Sequence, residues 1–406
     1  MKKYFFTTIV IITVIVIVVI AVVRYWDTIR GILPVLKGPS EDIAELLNGS
    51  IEDSPLKLPP GFDISVFAEI SGARVMVFDS EGDMWVSQTQ NGTVTRVEVQ
   101  NEEAISQEVA FRNLNKPHGL AFDPENSSVL YIAEEHRIVR VNLSGKEKVL
   151  EEVLPLPSGE GHSTRTIGFG PDPSNPSGQA KRLYISIGSS CNVCAEKDER
   201  RATILSVGRS ASDVITFARG LRNAVFFTWH PFTKELWTTE MGRDWLGDDF
   251  PPDEVNIVER DGFYGWPTCY GKNVHDIDFD KNTYIRNPCQ EPFEAPSHID
   301  IPAHSAPLGL GFVEPSFGWP QEYWHDLIVA YHGSWNRTVP TGYKLVRIRL
   351  DEAGNYLGVE DFATGWAREN DGVFEILGRP AGLLFKKDGT LYISDDSAGV
   401  IYKIKY

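Results

Sequence analysis

The chain has 406 residues, with 39 Lys and Arg against 56 Asp and Glu, giving a formal net charge of −17. So acidic a surface excludes broad binding to a phosphate backbone, which needs a basic face, but leaves room for a small basic pocket. The length suits one large domain or two ordinary ones.

In chain order, the first element is Tyr4–Val23, an uncharged apolar run behind Lys2 and Lys3. About 20 such residues span a bilayer as a helix, and Arg24, Tyr25 and Trp26 suit the interface that follows. No A-x-A arrangement closes the run, which favours a retained anchor over a cleaved signal peptide. Residues 1–26 are therefore expected to be a transmembrane anchor and 27–57 a stalk. Lys2 and Lys3 favour a cytoplasmic N-terminus, which places residues 58–406 on the outer side, periplasmic or at the cell surface.

Phe62–Ile70 alternates like a strand. Six segments then repeat one pattern: Arg74–Phe78, His118–Phe122, Arg165–Phe169, Arg222–Phe226, Leu308–Phe312 and Pro380–Phe385. Most lead through a turn into a second strand, such as Leu130–Ala133, Leu183–Ile187 or Leu391–Ser394, and then an alternating third, such as Ile138–Leu143. Four short strands repeated six times read as an all-β, six-bladed β-propeller with an N-terminal transmembrane helix. The last repeat, ending at Tyr406, stops before a fourth strand. Phe62–Ile70 is expected to fill that place and so remove the open edge between the last and first blades.

The spacing widens late in the chain. Residues 172–182 read as a polar loop in the third repeat. Residues 243–267 read as an acidic, aromatic insertion, and 268–303 as a second insertion bearing Cys269 and Cys289. Cys191 and Cys194 complete an even count of four, consistent with two disulfides in an oxidising compartment. Ala195 follows where a haem attachment motif needs His, and no second C-x-x-C completes a zinc site.

The first strand of each blade lines the channel, so residues just before those strands converge on one mouth. They include His118, His162, Arg165, Arg222, Asn223, His304 and Arg379. A His there suits a general base, and an Arg suits a carboxylate or a quinone oxygen. Taken singly, each is as well explained by structural pairing. Together they gather cations and imidazoles at one opening, for which an anionic ligand is the natural complement. Asp244, Asp248, Asp249, Asp253 and Glu254 group in a way that suits a hard cation such as calcium, or simply a solvated loop. The aromatic turns Gly262–Pro267 and His332–Arg337 offer either stacking surfaces or packing wedges.

LRNAVFFTWHP, EMG, DEVNIV and DGFYGWP, with KPHGLAF, GHSTRTIGFGPD and GRPAGLLFKKDGTLYISDD, resemble the soluble pyrroloquinoline-quinone-dependent glucose/sorbosone dehydrogenases across nearly all of 62–406. GSSCNVC and AYHGSWNR look closest to the sorbosone dehydrogenase-like branch. The resemblance implies a flat tricarboxylate quinone at the mouth and hydride transfer to it from an aldose or related aldehyde sugar. It assigns His162 as the base, and Arg222 with Asn223 as the pair that binds and polarises the quinone. Gly242 and Arg243 become the carbonyl pair holding Ca2+, and Arg379 a cofactor clamp. His118, His304 and Arg337 complete the expected cofactor contacts. Electrons would pass to a membrane quinone or another acceptor, with no nucleic acid involved. Two departures concern the substrate. His118 stands where glucose-oxidising members carry Gln, and the fifth-blade Lys is missing, with His332, Ser334 and Arg337 as candidates for its place. A metal-dependent propeller hydrolase or lactonase, and a non-catalytic binding propeller, share this fold and remain open.

Overall fold

A computed structural model of the chain describes residues 2–24, 36–37, 42–47, 54–172, 181–208, 211, 213–290, 294–370 and 373–406. Most of the expected stalk, and residues 173–180 of the expected third-repeat loop, lie outside them. Six antiparallel sheets of four ring strands each form the blades. Blade 1 runs outward through Ala73–Phe78, Met84–Gln88, Thr93–Gln100 and Glu103–Phe111. The inner strands of blades 2 to 6 are Leu120–Asp123, Ile167–Pro171, Phe227–Trp229, Pro307–Phe312 and Pro380–Phe385.

The second strands explain the core. Leu236–Glu240, Leu327–Tyr331 and Leu391–Asp395 are buried at every position. Each blade packs against neighbours on both faces, so these strands read as continuous apolar runs rather than alternating ones. The glycine recurring in the inner-strand motif has a steric cause. A methyl at Gly309 would stand 2.5 Å from the backbone nitrogen of Leu383, on the next blade. Adjacent inner strands approach backbone to backbone there, which only glycine permits.

The sixth blade closes as expected. Asp63–Glu69 pairs antiparallel with Val400–Lys405, Asp63 opposite Lys405 and Glu69 opposite Val400. Phe62 locks the join, with its ring edge-on to Trp319, Tyr323, Phe362 and Tyr406 at 4.7–5.3 Å.

Two expectations need correction. Arg222–Phe226 is not an inner strand; blade 4 starts at Phe227, and the preceding residues form the loop that enters it. Asp253–Val258 is not part of an insertion but the third strand of blade 4, with Asp253 and Glu254 buried. Acidic composition disguised it, because a strand interior seldom carries two carboxylates. The true insertion runs between that strand and the fourth one, Ile299–Ile301, and carries a disulfide between Cys269 and Cys289.

At the N-terminus, Lys2–Arg24 is a helix, and the side chains from Ile11 to Ile20 along it that are large and apolar are exposed. The side chains of residues 2–10 and of Val22 lie outside the described residues. Among the described residues, no helix is long and apolar enough to cross a membrane.

Candidate active site

Two sets of loops rise on one face of the ring: those entering each inner strand, and those joining second to third strands. The second set is lopsided. In blades 3, 4 and 5 these connections are long, spanning 188–202, 241–252 and 332–343, whereas in blades 1, 2 and 6 they are tight turns. The mouth is therefore walled on one side and low on the other.

His162 lies on the loop entering blade 3. Its backbone nitrogen donates to the Ser189 carbonyl at 2.9 Å, and Nδ1 lies 3.1 Å from that carbonyl and 3.0 Å from Ser189 Oγ. Ser189 Oγ donates its proton to the Cys191 carbonyl at 2.6 Å. Both neighbours of Nδ1 thus present lone pairs, so Nδ1 carries the proton and Nε2 presents its own lone pair. Burial and then Arg222, with further repulsion from Arg165 and Arg201, push this imidazole down to about 3 against the bond to Ser189. At neutral pH it is uncharged and able to accept a proton. Gly188 makes the geometry possible: a methyl there would stand 2.6 Å from His162 Cβ and 2.7 Å from Asn223 Oδ1.

Arg222 is buried and fully engaged. Nε donates to the Asn192 carbonyl at 2.9 Å, and Nη1 donates to Met241 and Gly242 carbonyls at 3.1 and 2.9 Å. Nη2 reaches Asn192 Oδ1 at 2.9 Å and Asp244 Oδ2 at 3.2 Å. Asn223, beside it, is buried; its backbone nitrogen donates to Glu240 and its amide lies 3.5 Å from Met241 Sδ. Asp244 ties the wall together. Its backbone exchanges hydrogen bonds with the Asn192 amide, and its Oδ1 accepts from Asn336 at 2.7 Å. Sequence reasoning passed over Asn192, although its place inside the disulfide loop Cys191–Cys194 was a usable signal.

On the opposite rim, Arg379 donates Nε to the His332 carbonyl at 3.1 Å and Nη2 to the Gly333 carbonyl, and lies over the Tyr343 ring. His332 Nε2 meets Asp396 at 2.8 Å, and Asp396 also pairs with Arg74. Burial opposes ionisation of Asp396, yet Arg74 and His332 hold it below the usual carboxylate range. His118 lies deeper than expected. It is wholly buried against Phe226, with Nδ1 3.3 Å from Thr166 Oγ1 and no partner for Nε2 among the described residues.

Other expected contacts are engaged elsewhere. His304 Nε2 bonds the Gly247 carbonyl at 2.8 Å. Arg337 donates to the Asp248 carbonyl at 2.6 Å and Asp249 Oδ1 at 2.9 Å. Both hold the blade 4 loop. The carbonyl of Gly242 carries Arg222, and the Arg243 side chain turns to Asp276 at 2.7 Å. A divalent cation at Gly242 would press against a guanidinium, so this arrangement does not fit calcium there. Nor do the five carboxylates of 244–254 gather. Asp253 accepts from Gly242 and Ala306 nitrogens, and Glu254 from Gly271 and Asn256. Among the described residues, no three of them converge on a metal position.

The mouth does fit an anion. Arg165 donates to the carbonyls of His162, Thr164 and Pro157 at 2.7–2.8 Å, and Arg201 to those of His162 and Gly188. Their hydrogen bonds, like those of Arg379, go to backbone carbonyls. Burial and then repulsion from Arg201 push Arg165 down to about 9. A polycarboxylate would relieve that crowding.

A family model described as TrAA12-like matches residues 56–406. A protein of uncharacterised function from Borreliella burgdorferi is 30% identical over 375 residues, covering 87% of this chain and 91% of that one. The pyrroloquinoline quinone-dependent pyranose dehydrogenase of Coprinopsis cinerea is 33% identical over 120 residues, 26% of this chain and 16% of its own. The holo structure of that organism's pyranose dehydrogenase PQQ domain superposes with a TM-score of 0.67 at 20% identity, covering 86% of this chain and 97% of that domain. These likenesses do not single out the sorbosone dehydrogenase branch. With a match spanning the whole propeller and its closing strand, the chain belongs to the TrAA12-like family.

Proposed function

We propose that this protein is a quinoprotein dehydrogenase that oxidises an aldose or a related aldehyde sugar, sorbosone-like compounds included. The observation that carries the reading is a neutral His162 with Nε2 free, set beside guanidiniums whose hydrogen bonds end on neutral carbonyls. Pyrroloquinoline quinone, when bound, supplies the two-electron acceptor. Arg379 and the positive field of Arg165, Arg201 and Arg222 would hold its carboxylates. His162 Nε2 takes the proton of the sugar hydroxyl while Ser189 fixes the ring and its tautomer. A polyanion among these guanidiniums cancels part of the field that depresses His162, which raises its basicity towards the working pH. Arg222 acts by charge and by holding the wall, since its donors are spent. Calcium enters no step.

The two disulfides fit an oxidising compartment. The exposed apolar side chains of the helix Lys2–Arg24 would hold the propeller against a membrane surface, close to a quinone or another electron acceptor. The test uses the full chain in a zwitterionic detergent. Pyrroloquinoline quinone is titrated with and without Ca2+, and aldoses are then added with a redox dye. Saturable binding and sugar-dependent reduction, both lost or strongly reduced in the matching steps for Arg379→Ala and His162→Gln, are expected. A folded protein that binds no quinone overturns the proposal and favours a hydrolase or a binding propeller.

A further inference from the structure

Two tryptophans stand exposed where the walls of blades 4 and 5 meet. Trp245 is 45% and Trp335 52% exposed, and their rings lie 5.6 Å apart at 80°. Large aromatic side chains in such a place cost hydration free energy, and the chain fixes them there deliberately. Asp244 and Asn336, the neighbours of the two tryptophans, are joined at 2.7 Å. Arg337 and the Thr338 nitrogen hold Asp248 and Asp249 on the other side. Trp245 itself sits at φ +75°, a conformation that a bulky residue adopts only at a cost of order 1 kcal/mol or more. The backbone around both rings is thus tied down, while the rings are left bare.

We propose that this corner binds a second sugar ring, so that the substrate is an oligosaccharide with a non-reacting pyranose seated on Trp245 and Trp335. The inference rests on the reading of the substrate as a sugar. Perpendicular rings give a floor and a wall, and a pyranose offers an apolar C–H face with hydroxyls around its edge. The same loop supplies acceptors for those hydroxyls in half-buried Asp248 and exposed Asp249. The same carboxylates repel phosphate and anionic lipid headgroups, so a neutral polyhydroxyl ligand is the one they select. Position gives the order of the rings: Asp244 touches Arg222, and Trp245 is the next residue outward. A ring in the corner therefore lies outside the one presented to His162.

The test measures binding calorimetrically on the full chain without cofactor, in a detergent that contains no sugar. The ligands are β-1,4-glucan, α-1,4-glucan, β-1,4-xylan and β-1,4-mannan tetraoses and their monosaccharides. At least one tetraose should bind about tenfold or more tighter than its monosaccharide. Trp335→Ala and Trp245→Ala should each erase that advantage, and Trp335→Phe should keep part of it. Phe232→Ala, an exposed aromatic elsewhere, should change nothing. No tetraose advantage, or a folded Trp335→Ala that binds like the parent, overturns the proposal. Because binding is read without quinone, failure of the dehydrogenase reading leaves this result standing. Turnover of monosaccharides with no tetraose advantage would sink the corner alone.

Discussion

Replacing Gly188 by alanine displaces the proposed base while leaving every group that does chemistry in the chain. The new methyl would stand 2.6 Å from His162 Cβ and 2.7 Å from Asn223 Oδ1. Carbon contacts are comfortable at about 3.5–4.0 Å, so each neighbour must yield by about 1 Å. His162 has little slack, because Ser189 holds its backbone nitrogen at 2.9 Å and its Nδ1 at 3.0 and 3.1 Å. Asn223 is braced by its backbone bond to Glu240. A misplacement of about 1 Å at a reacting group can cost about 10²-fold in rate, and overpacking costs about 1–3 kcal/mol. Quinone-loaded Gly188→Ala should therefore lose turnover by about two orders of magnitude, while its melting temperature falls by only a few degrees. Steady-state dye reduction and thermal melts on the same preparation measure both. If turnover stays within about twofold of the parent in a protein that melts normally, the clearance at Gly188 does not set the position of His162, and the reasoning fails.

Three further outcomes are expected. Asp244→Ala should weaken quinone binding and cost about 1.5–3 kcal/mol of stability, the range for a charge-assisted bond. A double-mutant cycle with Asn336→Ala should show coupling, since the two side chains bond each other. Removing Cys191 and Cys194 together should depress turnover more than stability, because the short loop they close holds Asn192 on Arg222 and so small a ring adds little to folding; activity and melts with and without a dithiol reductant check this. Glu294 gives a pH signature. It is buried with no partner for either carboxylate oxygen among the described residues, and burial followed by repulsion from Glu254 pushes it up to about 8. A raised carboxyl favours the fold below its unfolded value of about 4.5, and that contribution is lost as pH rises through about 8. In chelator-treated protein, melting temperature should fall across that window, and Glu294→Gln should flatten the fall.

The ring was legible because its determinants are local. Each of the six repeated segments ends in Phe, four of them carry a glycine, and each buried second strand is an apolar run, so six repeats could be counted from residues alone. The closing strand was legible for a different reason: one repeat lacked an outer strand, and one strand lacked a repeat. Blade 4 was misread where burial and composition disagree. Asp253 and Glu254 look like loop residues, yet their carboxylates satisfy the nitrogens of Gly242, Ala306 and Gly271. The positions of His162 and Arg222 followed from the repeat, but their partners did not. Ser189 and Asp244 reach them from the second-to-third-strand connections of the same blades, and Asn192 reaches Arg222 from blade 3, relations that no spacing in the sequence encodes. His304 and Arg337 show the converse: right residue types at the mouth, with their donors directed to the loop beside them rather than into the opening.

The closure of blade 6 also bears on biosynthesis. Asp63–Glu69 leaves the ribosome before any complete blade exists, yet its hydrogen-bonding partner, Val400–Lys405, is made only after all five preceding blades. Blades 1 to 5 can each assemble from contiguous chain as it emerges, whereas the first-made strand must wait through all of them with its edge unpaired. The ring is thus sealed once, after the last blade has been made. A chain truncated before Val400 would strand Asp63–Glu69 and leave the first and last blades without a shared seam, so quality control could recognise an unfinished product by its earliest strand.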